Sequence, residues 1–221
     1  MAGDLSSVCE SAAALRDAAD GFTLTPSQPL EEGIAALDKC LEVAVDKNDK
    51  GRCFLWRSIL GSRWAEDQSL PIKYQTEHEV KPFVDSALEI LPHDPLALHT
   101  AAMWHFRAAR TSWWDRAVAT RWYAMSPPPP ESSYETAADL FEASHQAQPT
   151  MENTWRMADC YRMMGGKGFE AHKYFYICCR MRPTTPREIA INHLCYEASG
   201  GSGSSVRPAE MRSKHANQAY R

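Results

Sequence analysis

The arginines in the second half of the chain are the side chains whose type and number point most directly to chemistry, and that chemistry is binding. Within residues 101–200 they are Arg107, Arg110, Arg116, Arg121, Arg156, Arg162, Arg180, Arg182 and Arg187. A guanidinium offers a planar fork of donors that matches a carboxylate or a phosphate. Residues 101–221 carry 15 basic and 11 acidic side chains, a net charge of +4, whereas residues 1–100 carry 9 and 17, a net charge of −8. This asymmetry indicates a docking surface for an acidic partner, with pairing between the two halves as the alternative.

Motifs for catalysis or metal binding are missing from the sequence. It contains no G-x-x-x-x-G-K-[ST] loop, no G-x-S-x-G elbow, no H-E-x-x-H pair and no Cys/His metal spacing. The run Gly165-Gly-Lys-Gly168 lacks the spacing of a phosphate loop and fits a turn between helices better. We therefore expect no catalytic residue, no metal and no cofactor. A Cys/His pair assembled only in three dimensions is left open.

The cysteines and the hydropathy of the sequence indicate the cellular compartment of the protein. The seven cysteines are odd in number and include no C-x-x-C pair, which predicts reduced, mostly buried thiols in a cytosolic protein. No 18-residue stretch is apolar enough to cross a membrane, and residues 1–20 do not have the pattern of a secretory signal.

The elements that must position the arginines are helices. Ala occurs 30 times against 7 Val and 7 Ile, a ratio that favours an all-α chain. Apolar periodicity predicts helices over residues 29–46, about 50–66, 80–91, 98–122 with interruptions, 132–148, 151–164, 171–181 and 185–198. Ser132 to Glu135 and Thr185 to Glu188 are predicted capping boxes. Leu70–Pro71 is predicted to break the chain, and Pro127 to Pro130 to form a polyproline spacer rather than a ligand for an SH3 or WW domain.

A repeated sequence pattern precedes three of the prolines. Pro149 and Pro183 are 34 residues apart, and small or aromatic residues lie 12, 8 and 5 positions before each of them and before Pro92. These residues are Ala137, Phe141 and Ser144; Ala171, Phe175 and Cys178; and Val80, Val84 and Ala87. The period and the offsets resemble the tetratricopeptide (TPR) repeat, a helix pair that buries its face by stacking on its neighbours.

The predicted fold is therefore all-α, a right-handed α-α superhelix of about three TPR-like helix pairs with flanking helices. A plain helical bundle is the alternative. We expect an N-terminal helical segment over residues 1–28 and a TPR-like helical repeat domain over 29–198, with an insertion near 108–130. A flexible basic tail is expected over residues 199–221, where a Gly/Ser run begins.

Landmarks in a fixed order make the resemblance more specific. They are Phe83-Val-Asp-Ser-Ala-Leu-Glu-Ile-Leu-Pro-His-Asp-Pro95, Leu98-His99, Thr111-Ser-Trp-Trp-Asp-Arg116, Pro127 to Pro130, Ser133-Tyr-Glu135, Phe141-Glu-Ala143 and Gln148-Pro149. Together they resemble the regulator of microtubule dynamics family, TPR-like proteins associated with microtubules and the mitotic spindle. The resemblance covers roughly residues 30–197. Some members carry an N-terminal membrane anchor or a long region before the domain, and this chain is more similar to the short soluble forms.

The resemblance also implies where a partner binds, because the first helix of each TPR pair lines a concave groove. In this chain those helices are predicted to begin near Gly51, Pro95 and Met151. The expected groove residues are Arg52, Arg63, His99, Arg107, Trp155, Arg156 and Arg162, and the same helix faces also include Leu55, Met103 and Glu152. A core position is an equal alternative for Trp155. Trp113 and Trp114 are expected in the core of the insertion rather than in contact with a ligand.

The resemblance, together with the basic second half, implies a non-catalytic microtubule-associated adaptor that acts in microtubule dynamics and in spindle and chromosome segregation. Its expected partners are tubulin or microtubules and acidic peptide segments, with no nucleic acid and no transmembrane segment. The expected location is the cytoplasm, the cytoskeleton, the spindle and the spindle pole. The alternatives are a module that binds a lipid or a small phosphate-bearing ligand, and a generic TPR peptide-binding adaptor.

Overall fold

A computed structural model describes residues 2–20, 27–124 and 126–200 of the chain. Within these ranges it contains ten helices and no strand, which confirms the all-α prediction. The helices are α1 (Ala2–Asp20), α2 (Ser27–Val43), α3 (Lys47–Glu66), α4 (Leu70–Ile90), α5 (Pro95–Arg110), α6 (Trp113–Trp122), α7 (Tyr134–Ala147), α8 (Met151–Met164), α9 (Gly168–Arg180) and α10 (Pro186–Ala198).

Three helix pairs form the body of the fold. The most extensive packing in the described ranges is between α3 and α4, between α5 and α7, and between α8 and α9. Helices α1 and α2 pack on α3 at one end, and α10 packs on α8 and α9 at the other. The handedness of the stack, its TPR-like arrangement and the proposed domain limits stay predictions. Residues 201–221, which hold nearly all of the predicted tail, lie outside the described residues.

The residues of the repeated sequence pattern before the prolines form the core of the three pairs. All nine of its residues are buried, from Val80 on α4 to Cys178 on α9. Phe141 is fully buried in a cluster with Phe106 and Met157, so it joins α7 to α5 and α8. The offsets that define the repeat in the sequence therefore mark the faces that each helix buries against its neighbours.

Helix starts follow local hydrogen-bonding chemistry, with one difference from the prediction. Thr185 and Glu188 form the predicted capping box. The other prediction misplaces the capping residue by one position, because Ser133 rather than Ser132 accepts the hydrogen bond from the N–H of Thr136. The Ser132 hydroxyl instead lies 2.6 Å from Nδ1 of His105. Two adjacent serines offer the same cap, and tertiary contacts decide between them.

Helix α4 begins earlier than the sequence indicates. Leu70–Pro71 does not break the chain but opens this helix, since proline is tolerated in a first turn where no N–H is needed. The helix also continues through Pro82 to Ile90.

The insertion differs from its predicted form. Of the helices in the described ranges, α6 packs extensively on no other. Trp113 and Trp114 are 69% and 63% exposed and stack on each other with ring centroids 4.5 Å apart. The expectation that they form a core is therefore wrong, because both rings are mostly exposed to solvent.

The polyproline segment is held against the body of the fold. Arg116 donates hydrogen bonds to the carbonyl oxygens of Pro129 and Pro130, each at 2.7 Å. Nε2 of His78 lies 2.6 Å from the carbonyl oxygen of Pro128. Pro129 and Pro130 are also buried. These contacts favour the spacer interpretation, because a docking motif needs an exposed proline face.

The cysteine prediction is wrong for four of the seven residues. A disulfide joins Cys40 of α2 to Cys53 of α3, and a second joins Cys178 of α9 to Cys195 of α10. The sequence separations of 13 and 17 residues form no known motif. Helix packing nevertheless brings the Cα atoms to 6.4 and 5.9 Å, within the range that a disulfide spans.

Replacing Phe141 by Ala tests the assignment of the core. The change should lower the free energy of unfolding by about 3–5 kcal/mol, because it removes a ring from the fully buried centre of the stack. Phe169→Ala is the matched control, since this ring is 82% exposed and its loss should cost less than about 0.5 kcal/mol. Denaturant unfolding followed by circular dichroism measures both. Equal effects of the two changes would contradict the assignment.

Candidate functional site

A groove of about 610 Å³ runs along the first helices of the three pairs. Helices α3, α5 and α8, which the TPR resemblance implies as groove-lining helices, line it. The start of α10 closes one end. Its apolar walls come from Ile59, Leu96, Met103 and Ile191. Its charged side chains are Arg16, Arg63, Arg107, Arg187, Glu66, Glu152 and Glu188.

Three of the seven predicted partner-binding residues line this cavity. They are Arg63 on α3 and His99 and Arg107 on α5. They reach the same surface because the turns of α3 and α5 that carry them lie beside each other along the groove. Of the other positions on the same helix faces, Met103 and Glu152 also line the groove, whereas Leu55 is buried in the core.

The other four predicted residues lie elsewhere. Arg52 is exposed on α3, and Arg162 is exposed near the end of α8, where it pairs with Asp159. Trp155 is partly buried and packs against the core cluster around Phe175. This placement is closer to the alternative prediction, a core position, than to a groove position. Arg156 lies against aromatic rings beside the groove.

Arg107 is held by a buried carboxylate. Its Nε donates to Oε1 of Glu77 at 2.7 Å, and its Nη2 donates to Oγ of Ser62 at 2.8 Å. The Glu77 side chain is only 7% exposed. Arg107 therefore joins α5 to α4 and α3, and its charge is already balanced. The sequence did not reveal this pair, because Glu77 precedes Arg107 by 30 positions and lies on another helix.

Glu152 forms the second ion pair of the groove. Its Oε1 accepts a hydrogen bond from Nη2 of Arg187 at 2.6 Å, which joins α8 to α10. Burial raises the pKa of this carboxyl, but the charges of Arg187 and Arg156 outweigh that effect and lower the pKa from its ordinary value of 4.5 to about 2. Glu152 is therefore ionised at neutral pH. The helical pattern predicted that Glu152 faces the groove, but no signal in the sequence placed Arg187 there.

A chain of polar groups crosses the floor of the groove. Nδ1 of His99 hydrogen-bonds to Oδ1 of Asn153, whose Nδ2 donates to Oγ of Ser144 at 2.8 Å. The Ser144 hydroxyl then donates to the carbonyl oxygen of Pro95 at 2.7 Å. Burial lowers the pKa of the His99 imidazole, against opposing effects of Glu152 and Asn153, so His99 is neutral. The chain ties α5, α7 and α8 together without adding charge.

The groove is consequently mixed in charge rather than uniformly basic. Arg63 lies 3.3 Å from carboxylate oxygens of both Glu66 and Asp67, and Arg107 and Arg187 are paired with buried or partly buried carboxylates. Such a surface offers directional hydrogen bonds to a polar chain, with apolar patches between them. In the part of the chain that the structure describes, no group of three His, Cys, Asp or Glu side chains is placed to hold a metal ion. No described helix is long and apolar enough to cross a bilayer.

Comparison with known proteins gives a consistent set of relatives. A family model described as regulator of microtubule dynamics protein 1-3 matches residues 25–199. Regulator of microtubule dynamics protein 3 of Mus musculus is 26% identical over 152 residues, which cover 67% of this chain and 32% of that protein. Regulator of microtubule dynamics proteins 2 and 1 of the same species are 26% and 23% identical over 150 and 138 residues, covering 66% and 62% of this chain and 36% and 44% of those proteins. The chain spans about a third of the length of the first of these relatives.

Glu152→Gln tests the ion pair across the groove. A carboxyl whose pKa is lowered on folding contributes stability above its unfolded pKa and loses it as the pH falls through the folded value of about 2. The variant should therefore be less stable by about 3 kcal/mol at pH 7, and the difference should vanish between about pH 4.5 and pH 2. Urea unfolding at several pH values measures it.

Glu42→Gln, which changes an exposed carboxylate on α2, is the control and should leave the pH dependence unchanged. A difference between wild type and Glu152→Gln that stays constant with pH would contradict the ion-pair assignment.

Proposed function

The chain belongs to the regulator of microtubule dynamics family, and on that basis we propose that it is a non-catalytic adaptor that associates with microtubules. The observation that carries the proposal is the family match over residues 25–199, which takes in all three helix pairs and the groove. The named relatives are all called regulators of microtubule dynamics.

The proposed partner is the acidic surface of the microtubule, and more generally an acidic peptide segment. Microtubule surfaces display acidic tails, and arginines bind carboxylates through paired, charge-assisted hydrogen bonds. Attraction between the +4 half of the chain and such tails speeds association and makes it sensitive to salt. The proposed setting is microtubule dynamics and chromosome segregation, at the cytoskeleton, the spindle and the spindle pole, in the cytoplasm.

The size and lining of the groove favour a second candidate function. A cavity of about 610 Å³ falls within the range of small-ligand sites, about 300–1,000 Å³. Its apolar walls and its arginines would suit a lipid or another phosphate-bearing ligand. Native mass spectrometry of the purified chain separates the two candidates, because a bound ligand would add a discrete mass. A generic TPR-type peptide adaptor is the remaining alternative and would bind peptides without regard to their acidity.

Microtubule co-sedimentation tests the main proposal. The purified chain should pellet with taxol-stabilised microtubules at about 50 mM salt and pellet several-fold less at about 300 mM, because screening weakens the attraction between charges. Microtubules stripped of their acidic tails by limited proteolysis are the matched control and should retain less of the protein. Absence of pelleting at low salt would overturn the proposal.

A further inference from the structure

Two arginines that form no ion pair with any described residue lie beside the groove and meet at one aromatic ring. The guanidinium carbons of Arg156 on α8 and Arg110 on α5 lie 5.3 and 5.7 Å from the ring centroid of Phe106. Arg156 also lies 4.1 Å from the centroid of Trp155, and the ring of Tyr134 is 5.8 Å from that of Phe106. We call these five residues the arginine–aromatic cluster.

The donors of these two arginines are unused. Neither Arg110 nor Arg156 donates a hydrogen bond to any residue in the described ranges, whereas Arg63, Arg107 and Arg187 of the groove all bind carboxylates. Nε of Arg156 is buried and has no acceptor. Burial lowers the pKa of Arg156, against opposing effects of Glu152 and Asp159. A buried donor without an acceptor is an exception in folded proteins, so Arg156 can still bind an anionic partner.

The cluster is open to a ligand. Arg110 is exposed, and Arg156 and Tyr134 are partly exposed. Nε is the only nitrogen of Arg156 that is buried without a partner, so its two terminal nitrogens remain accessible. Burial raises the pKa of the Tyr134 hydroxyl, although Arg110 favours its ionised form, so Tyr134 is a neutral donor. Helices α5, α7 and α8 thus each supply a donor around one ring.

We infer that the arginine–aromatic cluster binds carboxylates of a glutamate- or aspartate-rich segment of the partner protein, an inference that rests on the proposed function. Glu152 and Asp159 both act on the charge of Arg156. Arg187 already binds Glu152, and Arg162 already binds Asp159, so the cluster keeps its positive charge. Charge complementarity therefore favours an anionic segment, and the aromatic faces suit the methylene groups of glutamate.

Arg110 is the residue that this inference adds to those expected from the sequence. Arg162, which was expected in the groove, already pairs with Asp159. Arg107, also expected there, is bound to Glu77. The two arginines that stay available beside the groove are therefore adjacent members of one cluster rather than a row along it.

Binding of a fluorescent hexaglutamate peptide to the full chain, measured by anisotropy at low salt, tests the inference directly. The wild type should bind, and a hexaglutamine peptide should not. Arg110→Gln should raise Kd about three- to fivefold, as for an exposed charge pair, and Arg156→Gln about tenfold or more. Arg52→Gln removes an equal charge from an exposed site on α3 and should change Kd less than about twofold. Absence of binding by the wild type, or an equal effect of Arg52→Gln, would overturn the inference.

Two further measurements ask whether the cluster prefers phosphate and whether Arg156 stabilises the fold. Inorganic phosphate should compete with the peptide only as strongly as sodium chloride of equal ionic strength, and specific competition at lower concentration would replace the carboxylate site by a phosphate site. Arg156→Gln should keep or raise the melting temperature, because it removes a partly buried charge whose buried Nε has no acceptor. A fall of more than about 5 °C would mean that Arg156 stabilises the fold and would remove it from the site. Arg110→Gln changes an exposed residue and still reports on binding in that case.

The same variants in microtubule co-sedimentation separate this inference from the proposed function. If the wild type binds hexaglutamate but does not pellet with microtubules, the proposed function fails and the carboxylate site stands. If the wild type pellets and the Arg110→Gln/Arg156→Gln double variant pellets equally well, the function stands and the site is wrong. If the double variant loses both activities and Arg52→Gln loses neither, both are supported.

Discussion

The ion pair between Arg107 and Glu77 is the interaction on which the groove depends. It connects α5 to α4 where both lie almost out of reach of solvent, and Ser62 extends it to α3. A buried pair of this kind contributes little compared with an apolar replacement, but removing one partner leaves the other as an uncompensated charge. The pair therefore fixes how the first two helix pairs meet, and with them one side of the groove.

The same arrangement decides where positive charge is available. Arg63, Arg107 and Arg187 face carboxylates, and the polar chain from His99 to Pro95 is neutral. The groove is thus suited to recognise a partner by its shape and hydrogen bonds rather than to bind a long acidic chain. Two arginines that bind no carboxylate in residues 2–20, 27–124 or 126–200 lie beside it, at the ring of Phe106. The proposed adaptor would hold a polar segment in the groove and acidic side chains at the arginine–aromatic cluster.

The sequence predicted the parts of this protein that depend on local periodicity. The offsets before Pro92, Pro149 and Pro183 mark buried faces, and the helices expected to line a groove do so. The prediction was weaker wherever a partner comes from another helix. Glu77 lies 30 positions before Arg107, and Arg187 lies 35 positions after Glu152, distances at which no periodic pattern connects two residues. The disulfides and the exposure of Trp113 have the same origin, since helix packing alone decides them.

A double-mutant cycle on Arg107 and Glu77, followed by denaturant unfolding, is the most direct test that the arginines of the groove stabilise the fold rather than bind a partner. Arg107→Met and Glu77→Leu should each lower the free energy of unfolding by about 3–5 kcal/mol, because each leaves a buried charge alone. The double variant should recover to within about 1–2 kcal/mol of the wild type. Single changes that cost less than about 1 kcal/mol and simply add in the double variant would contradict the account, and would return Arg107 to the residues available for a partner.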